Sequence, residues 1–446
     1  MAREMKDSGI EWIGDIPDSW NTIKIKHTSW LKGRIGWQGL TASEYVDEGP
    51  YLVTGTDFLN GRINWSTCAH ITDERFDEDS DIHIVEDDLL ITKDGTIGKV
   101  AIAKNCPEKV SLNSGVLLIR NTGKYKYFDK YLYYVLLSDE FWRWYTLSQT
   151  GQSTIKHLYQ AQFYNFEFTY PSYEEQERIA SFLDSECARI DAVIEQTRSS
   201  IEEYRKLKQA VITQAVTKGI RSNRQMKDSG IEWIGEMPFD WELIPFRHVL
   251  HERIEKNSPV KSTERLSLSI DLGVTLYAEK TTNLDRFKDD FEQYKLAHAG
   301  DLVMNSMNMI VGASGVSAYY GCVSPAYYTF YDDTEDHITA KFCEFIFRSK
   351  TMLRVLFSLG KGIYAIVRGD DRVNTCRLKV SREDLRNIQI PVPCVNEQRE
   401  IVAYLKQKCK AIDALIEKKE VLTQEIENYK KSLIFEYVTG KKEVSA

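Results

Sequence analysis

The sequence is poor in proline, lacks long apolar runs, and its cysteines follow no metal-binding spacing. Only 10 of 446 residues are proline, which argues against a proline-rich disordered or collagen-like chain. The eight cysteines are scattered and no two form Cys-x-x-Cys, so neither a zinc site nor a disulfide framework is predicted. No apolar run of about 18 residues is present, and the first residues lack the apolar core of a signal peptide. We therefore expect a protein of the reducing cytoplasm without a membrane span.

The motifs of common catalytic centres are also missing. The sequence contains no Walker A loop, no Gly-x-Gly-x-x-Gly after a strand, no His-Glu-x-x-His and no Asn/Asp-Pro-Pro-Tyr/Phe run. His248 and His251 lie close in sequence, but a metal site would need further ligands that are not evident. The run Glu417-Lys418-Lys419 falls in a predicted helix and is typical of a solvated charged face. We predict no catalytic residue and no metal site, with a hydrolase of unrecognised type as an alternative.

The charge balance gives little support to a nucleic-acid partner by itself. The formal net charge is −8, whereas nucleic-acid-binding domains are often basic. Binding needs local positive faces and not a positive total. The length of 446 residues predicts two or three domains.

An internal repeat determines the predicted architecture. Residues 5–14 read MKDSGIEWIG, and residues 226–235 read MKDSGIEWIG again, 221 residues later. A second pair begins EQERIASFLDSECARIDAVIEQ at Glu175 and EQREIVAYLKQKCKAIDALIEK at Glu397, 222 residues apart. Between these matched ends, residues 21–170 and 242–392 show little similarity. The pattern predicts two fixed frames that hold two variable inserts with different tasks of the same kind.

Each second repeat element predicts a long helix. Residues 173–218 form the first, with Ser172 as its N-cap, Glu175 closing a capping box, and Gly219 at its end. Apolar residues recur with roughly heptad spacing, and each position is apolar or aromatic again 222 residues later: Ile179, Leu183, Ile190, Val193, Tyr204, Leu207 and Val211. Such a stripe predicts that the two helices pack together as a coiled coil, although an ordinary packed helix pair is also compatible with it.

Both inserts are predicted to be mixed α/β. Strand-like runs occupy residues 69–71, 88–92, 100–103 and 116–119 in the first insert, and 301–304, 316–320 and 327–331 in the second. Each insert also has an aromatic-rich helical stretch, at residues 128–147 and 340–359. We expect a common fold with divergent surfaces.

Candidate DNA-facing residues lie in polar, often glycine-rich turns of these inserts. Arginine and lysine read guanine, asparagine and glutamine read adenine, and hydroxyl groups hold phosphates. The first insert supplies Arg34, Trp37, Gln38, Lys93, Thr96, Lys99, Gln149, Gln152, Ser153 and Lys156, and the second supplies Asn305, Asn308, Arg368, Arg372 and Asn374. Any one of these loops is also typical of an ordinary turn.

Taken together, the repeated segments resemble a known family. The chain looks like the specificity subunit of type I restriction–modification enzymes over essentially its full length. The resemblance rests on the SGIEWIG-x-x-P leader at residues 8–17 and 229–238, and on the Pro-x-x-x-Glu-Gln helix entries at Pro171 and Pro393. It also rests on the Ile-Asp pairs Ile190-Asp191 and Ile412-Asp413.

The resemblance implies an α+β fold with a pseudo-twofold internal repeat. Two mixed α/β target-recognition domains, at residues 1–170 and 221–392, would each read half of a bipartite, asymmetric double-stranded DNA site. Two long helices, at residues 171–220 and 393–446, would pack as an antiparallel coiled coil and set the spacer.

The same resemblance implies partner subunits that carry the chemistry. Two methyltransferase (M) subunits would bring S-adenosylmethionine, and motor–nuclease (R) subunits would bring ATP and magnesium, so no cofactor is expected in this chain. Two alternatives remain open at this point: a recognition subunit of another restriction–modification class, and a coiled-coil scaffold that binds no DNA.

Overall fold

The computed structural model divides the chain into two compact units. It describes residues 3–34, 40–148, 157–280, 290–334, 336–363 and 377–444. Unit 1 comprises Met1–Arg198 and Val421–Ala446, and unit 2 comprises Ser199–Glu420. Both boundaries fall inside long helices, so each unit contains part of each helix. The division into four segments predicted above remains a prediction.

Unit 1 combines short strands with helices. Its strands are β1 (Met5–Asp7), β2 (Asp15–Pro17), β3 (Asn21–Lys24), β4 (Ser29–Lys32), β5 (Val46–Val53), β6 (Phe58–Leu59), β7 (Arg62–Ile63), β8 (Ala69–His70), β9 (Leu89–Thr92), β10 (Val100–Ile102), β11 (Val110–Leu112), β12 (Val116–Asn121) and β13 (Glu167–Tyr170). Its helices are α1 (Ile25–Thr28), α2 (Asp73–Asp77), α3 (Asp129–Leu137), α4 (Asp139–Ser148), α5 (Gln160–Phe163) and the first part of α6 (Tyr173–Lys218).

Unit 2 has a similar content. Its strands are β14 (Met226–Asp228), β15 (Glu236–Pro238), β16 (Glu242–Pro245), β17 (His251–Glu252), β18 (Leu266–Ser269), β19 (Gly273–Leu276), β20 (Lys295–Ala297), β21 (Leu302–Asn305), β22 (Ser314–Val316), β23 (Gly321–Val323), β24 (Tyr327–Tyr331), β25 (Lys361–Ile363), β26 (Arg377–Lys379) and β27 (Gln389–Val392). Its helices are α7 (Tyr277–Lys280), α8 (Ile338–Phe347), α9 (Lys350–Leu359), α10 (Arg382–Asn387) and most of α11 (Val395–Val438).

The main sheets of the two units have the same strand pairing. Unit 1 has the antiparallel order β4-β12-β9-β10, extended by β7 and β6, and unit 2 has the antiparallel order β17-β24-β21-β22. The pairs β1–β2 and β3–β13 also have counterparts in β14–β15 and β16–β27. The parallel pairing of β5 with β11 corresponds to an isolated parallel bridge between Arg265 and Cys322 in unit 2. The antiparallel pairing of β20 with β23 corresponds to an isolated antiparallel bridge between His83 and Ser111 in unit 1. The fold is therefore α+β in each unit, with mixed helices and sheets.

Most predicted strands lie where expected, with two corrections. The prediction at residues 316–320 was wrong, since β22 ends at Val316 and the Ser317 hydroxyl closes a turn with the amide of Tyr319 at 3.1 Å. Each aromatic helical stretch is also two helices. In unit 1 the break is at the fully buried Ser138, whose hydroxyl accepts from the amide of Glu140 at 3.2 Å. Serine competes for backbone hydrogen bonds in this way at helix starts.

Aromatic side chains dominate the core of each unit. Phe141 and Phe166 meet edge to face in unit 1, with ring centroids 5.6 Å apart, a favoured arrangement for aromatic pairs. Phe246 packs against Phe330 and Phe347 in unit 2, at 4.8 Å from each. Buried residues of α6 and α11 belong to both cores. The long helices are therefore held by the units as well as by each other.

Helix α6 matches its predicted bounds, and α11 ends at Val438, before the predicted residue 446. The buried stripe of the long helices does not follow the predicted heptads. Helix α6 runs Tyr173–Lys218 as predicted. Val193 and Leu207 are exposed, whereas Ile194, Ile201 and Ile212 are buried. An α-helix has about 3.6 residues per turn, so a strict seven-residue pattern drifts around a straight helix.

None of the described helices is long and apolar enough to cross a membrane.

Ion pairs join the two long helices within each unit. In unit 1, Lys430 binds Asp191 at 2.6 Å and Arg198 binds Glu427 at 2.7 Å. In unit 2, Lys208 binds Asp413 at 2.7 Å and Arg205 binds Glu420 at 2.9 Å. A shift of 222 residues converts one set into the other with the helices exchanged. Exposed pairs of this kind contribute at most about 1 kcal/mol each to the free energy of unfolding. Their main effect is therefore to fix how the two helices are aligned along each other.

The predicted capping box of α6 is only half formed. The amide of Glu175 donates to the Ser172 hydroxyl at 3.3 Å, as an N-cap requires. The Glu175 carboxylate instead forms an ion pair with Arg3 and accepts from Trp20 Nε1 at 2.8 Å. This side chain therefore ties the leader segment to the helix, and the reciprocal half of the box was a wrong prediction.

Candidate nucleic-acid interface

The turn between β9 and β10 presents two of the predicted DNA-facing residues. The Thr92 hydroxyl donates to the carbonyl of Thr96 at 2.6 Å and accepts from the amide of Lys99 at 2.9 Å. Gly98 has φ of +78°, and a Cβ there would lie 2.5 Å from the Trp142 ring, so glycine is required. Thr96 and Lys99 are exposed on this fixed turn, and their side chains can contact a ligand.

A second turn lies against the first, and sequence reasoning missed it. Lys99 Nζ donates to the carbonyl of Gly55 at 3.3 Å. Gly55 lies in a turn closed by Asp57, whose carboxylate accepts from the amide and the hydroxyl of Thr54, both at 2.8 Å. Thr56 is exposed there. The run Thr-Gly-Thr-Asp, placed after a strand-like segment, is a turn signal that could have identified it.

Lys93 lies where three chain segments of unit 1 meet. Its carbonyl accepts from the amide of Leu158 at 3.0 Å. A Cβ at Gly33 would lie 3.3 Å from Lys93 Nζ, and His157 Nδ1 is hydrogen-bonded to the carboxylate of Asp94. Burial lowers the pKa of the half-buried Lys93 ammonium. The chain just before residues 35–39 and the chain just after residues 149–156 thus meet at the 93–99 turn.

Several predicted residues of unit 1 lie outside the described residues. These are Trp37, Gln38, Gln149, Gln152, Ser153 and Lys156. Two side chains next to them were not predicted, namely His157 and Tyr159, whose rings lie 4.4 Å apart. Tyr159 is 53% exposed, and an exposed aromatic side chain is suited to stack on a nucleic-acid base.

Arg34 is placed differently from the other predicted residues of unit 1. It is only 2% exposed. Its Nε donates to the carbonyl of Leu112 at 3.1 Å, its Nη2 donates to Ser111 Oγ at 3.2 Å, and Glu78 lies 3.7 Å away. These contacts occupy the guanidinium inside the unit and favour a structural role, while its predicted contact with DNA stays untested.

The turn after β21 presents the predicted residues of unit 2. Asn305 Oδ1 accepts from the amides of Met307 and Asn308, at 3.0 and 3.4 Å, so this side chain supports its own turn. Asn308 is exposed and precedes a 3-10 turn at Met309–Val311 that ends at Gly312, with φ of +94°. Asn308, more than Asn305, is therefore free to contact a ligand.

Unit 2 repeats the backbone contact that organises unit 1. The carbonyl of Ser306, which follows β21, accepts from the amide of Val380 at 3.0 Å. Val380 follows β26, which pairs with β25. These two strands bound residues 364–376, so the predicted Arg368, Arg372 and Asn374 lie outside the described residues. Sequence reasoning missed the exposed Lys361 and Lys379, which pair across β25 and β26. Two lysines on either side of a polar loop could have indicated them.

The chemistry of these turns suits binding more than catalysis. Cations, hydroxyls and amides are the groups that contact phosphates and base edges. No cluster of three or more His, Cys, Asp or Glu that could hold a metal is found within the described ranges. This finding does not test the prediction that cofactors belong to partner subunits.

Comparison with known proteins points to one family. Residues 37–203 match the family model described as "Type I restriction modification DNA specificity domain". The putative type I restriction enzyme MjaX specificity subunit of Methanocaldococcus jannaschii is 24% identical over 96% of this chain and 95% of its own length. The MjaVIII specificity subunit of the same organism is 25% identical over 96% of this chain and 93% of its own.

The fold agrees with that sequence evidence. A chain from a structural study of assembly and conformational transition in the type I R-M system superposes with a TM-score of 0.67. At 13% identity over 96% of this chain and 99% of the other, this likeness establishes the fold alone. The chain is therefore similar to type I restriction enzyme specificity subunits over 96% of its length, and residues 37–203 match the DNA specificity domain of that family.

Proposed function

We propose that this chain is the DNA-sequence-recognition subunit of a type I restriction–modification complex, without a catalytic centre of its own. The observation that carries the proposal is the contact made twice, Lys93 to Leu158 in unit 1 and Ser306 to Val380 in unit 2. In each unit it ties an exposed turn of the main sheet to a variable segment rich in base-reading residue types. Two such surfaces in one chain fit a bipartite DNA site.

Each surface would read one half-site in the major groove. Lys99 and Thr96 are exposed on the unit 1 turn, and Asn308 is exposed on the unit 2 turn. A lysine contacts phosphate or guanine, and an asparagine reads adenine in a bidentate manner. Because the two turns differ in residue type, the two half-sites would differ in sequence.

The long helices would form an antiparallel coiled coil, and the repeat would be pseudo-twofold. The opposed ion pairs Asp191–Lys430 and Lys208–Asp413 support this, since one converts into the other by the repeat. In this proposal the helix pair sets the number of unspecified base pairs between the half-sites.

The same helices would dock two methyltransferase subunits. Val193 and Tyr429 in unit 1 are 43% and 55% exposed, and their repeat counterparts Leu415 and Leu207 in unit 2 are 42% and 48% exposed. Large apolar residues exposed at repeat-related positions fit two copies of one partner. S-adenosylmethionine would be bound by those subunits, and ATP and magnesium by motor–nuclease subunits.

Methylome sequencing tests the proposal directly. The chain would be expressed with its cognate methyltransferase subunit in a host free of adenine methylation. We expect one new motif with two defined blocks around an unspecified gap. A soluble, verified complex that adds no methylation and binds no DNA would contradict the proposal and favour a scaffold.

A further inference from the structure

A groove in unit 2 lies between the end of α6, the second SGIEWIG leader and the start of α9. Its volume is about 870 Å³, and Thr213, Trp233 and Arg354 are among its lining residues. None of the described residues that line it is acidic. The groove is therefore a concave surface with an aromatic wall and a positive rim.

Most of the cations around this groove are unpaired. Lys206, Lys218, Lys350 and Arg354 line it and form no ion pair with any described carboxylate. Lys350 is also the first residue of the ten-residue helix α9, where the helix dipole adds partial positive charge. These groups favour an anionic occupant.

The equivalent place in unit 1 is already filled by the chain itself. Thr217 Oγ1 donates to the Thr213 carbonyl at 2.7 Å, and Thr439 Oγ1 donates to the Phe435 carbonyl at 2.6 Å. Phe435 thus takes the position of Thr213. Arg143 lies over the Phe435 ring at 5.1 Å. An aromatic side chain therefore occupies, in unit 1, the space that threonine leaves open in unit 2.

The charges at this place also differ between the units. Ser138 and Ser349 are both fully buried and precede α4 and α9, so Asp139 corresponds to Lys350 and Arg143 to Arg354. Glu427 likewise occupies the position of Arg205 in the repeat. Unit 1 thus has acidic residues at two positions where unit 2 has cations, and its Phe435 ring is covered by Arg143 and Lys441. Unit 2 is basic and open here, so an occupant would engage one half of the molecule only.

An unpartnered acceptor atom favours a polypeptide over a phosphate group as the occupant. Gln209 Oε1 and Thr351 Oγ1 line the groove and are buried without a hydrogen-bond partner in the described structure. A buried acceptor such as Gln209 Oε1 requires a donor. Phosphates offer only acceptors, whereas a polypeptide offers backbone N–H groups together with carboxylates.

We propose that this groove binds an acidic segment of a partner protein, which inserts one aromatic side chain beside Thr213 and Arg354. The aromatic ring of this segment would occupy the place that Phe435 takes in unit 1. The carboxylates of the segment would pair with Lys350, Lys206 and Lys218. The proposal does not depend on DNA recognition, and neither result decides the other.

A labelled peptide tests the proposal on the full-length chain. The probe is a fluorescein-labelled peptide of about 12 residues with one phenylalanine flanked by glutamates, and binding is read by fluorescence anisotropy. We expect Thr213→Phe, which fills the groove as in unit 1, and Lys350→Asp each to weaken binding about tenfold or more. The matched control Lys410→Asp, an exposed charge reversal on α11 outside the groove, should leave binding unchanged.

Companion probes define the outcomes that overturn the proposal. A peptide with serine in place of phenylalanine should bind at least about tenfold more weakly. Equal binding of both peptides, equal binding to wild type and Thr213→Phe, or no binding of the phenylalanine peptide would each refute it. A single-stranded oligonucleotide that binds wild type and is lost with Thr213→Phe would assign the groove to nucleic acid instead. Circular dichroism of each variant excludes loss of folding as the cause.

Discussion

The amide of Leu158 donates to the carbonyl of Lys93 at 3.0 Å, and the amide of Val380 donates to the carbonyl of Ser306 at the same distance. Both bonds use backbone atoms only, so the side chain at each position is not constrained by them. A lysine stands at one position and a serine at the other. This arrangement lets the backbone frame persist while the residue types in the turns change, which the proposed recognition of differing DNA sequences requires.

Removing the exposed cation of unit 1 should weaken DNA binding. Lys99 is exposed, and its ammonium donates to the carbonyl of Gly55 and to no other described residue. For Lys99→Ala we expect a loss of about 1 to 2 kcal/mol in binding, and, if the contact is to phosphate, a salt slope smaller by about one. Titration of DNA into the complex with the methyltransferase subunit, at several salt concentrations, measures both. Lys26→Ala, another exposed lysine of unit 1, serves as the control, and equal effects of the two changes would refute the assignment.

Changing Asn308 should alter recognition of one half-site only. This side chain is exposed on the unit 2 turn, whereas Asn305 is occupied by its own turn. For Asn308→Ala we expect relaxed discrimination at one base, by about 1 to 3 kcal/mol. Methylation of a library randomised at both half-sites measures this. Relaxation in both half-sites, or in neither, would show that the two units do not read DNA separately at these turns.

Arg34 should matter for stability more than for DNA binding. Its buried guanidinium donates to Leu112 and Ser111. Arg34→Ala leaves these buried acceptors unsatisfied and opens a cavity, so the unfolding free energy should fall by about 2 to 4 kcal/mol. Denaturant unfolding monitors this, with Lys99→Ala as a surface comparison. A stable Arg34→Ala variant with impaired DNA binding would instead support the sequence-based prediction that Arg34 contacts DNA.

The sequence predicts the architecture well because the internal repeat is visible as two copies of the same segment. The bounds of α6, and the strands β9, β12 and β24, follow from apolar patterns and capping residues that act locally. The apolar pattern did not predict that Ile194 is buried and Val193 is exposed. Which face of a long helix is buried depends on what the rest of the unit packs against it.

The candidate site is harder to predict than the fold. Polar turns are recognisable, but the sequence does not show which polar side chain points inward, as Arg34 does. Gly55 and Leu158 contact the 93–99 turn from distant segments of the chain, and residue type alone does not reveal such tertiary contacts. Sequence reasoning therefore found the loops and not the final set of exposed groups.

Lengthening the helix pair should change the gap between half-sites. An insertion of about seven residues after Arg198 in α6 and after Glu420 in α11 adds roughly 10 Å of helix and keeps the register approximately. We expect a gap longer by about three base pairs, given roughly 3.4 Å per base pair, with both half-site sequences unchanged. Methylome sequencing reads both properties. A changed half-site sequence would refute the role of the helices as a spacer, and insertion into α6 alone tests whether pairing is required.

The buried carboxyl of Glu140 should make stability depend on pH. It is fully buried, accepts from the amide of Thr169 at 3.0 Å, and burial raises its pKa to about 8, although Lys441 and Thr169 oppose the shift. Its contribution is fully present below the unfolded pKa of about 4.5 and is lost as pH rises through the folded value. Wild type should therefore lose roughly 2 to 4 kcal/mol relative to Glu140→Gln between about pH 5 and pH 9. Denaturant unfolding across that range measures the difference. Glu177→Gln, an exposed change on α6, should give a curve parallel to wild type; a parallel curve for Glu140→Gln as well would show that this carboxyl is already ionised in the folded protein.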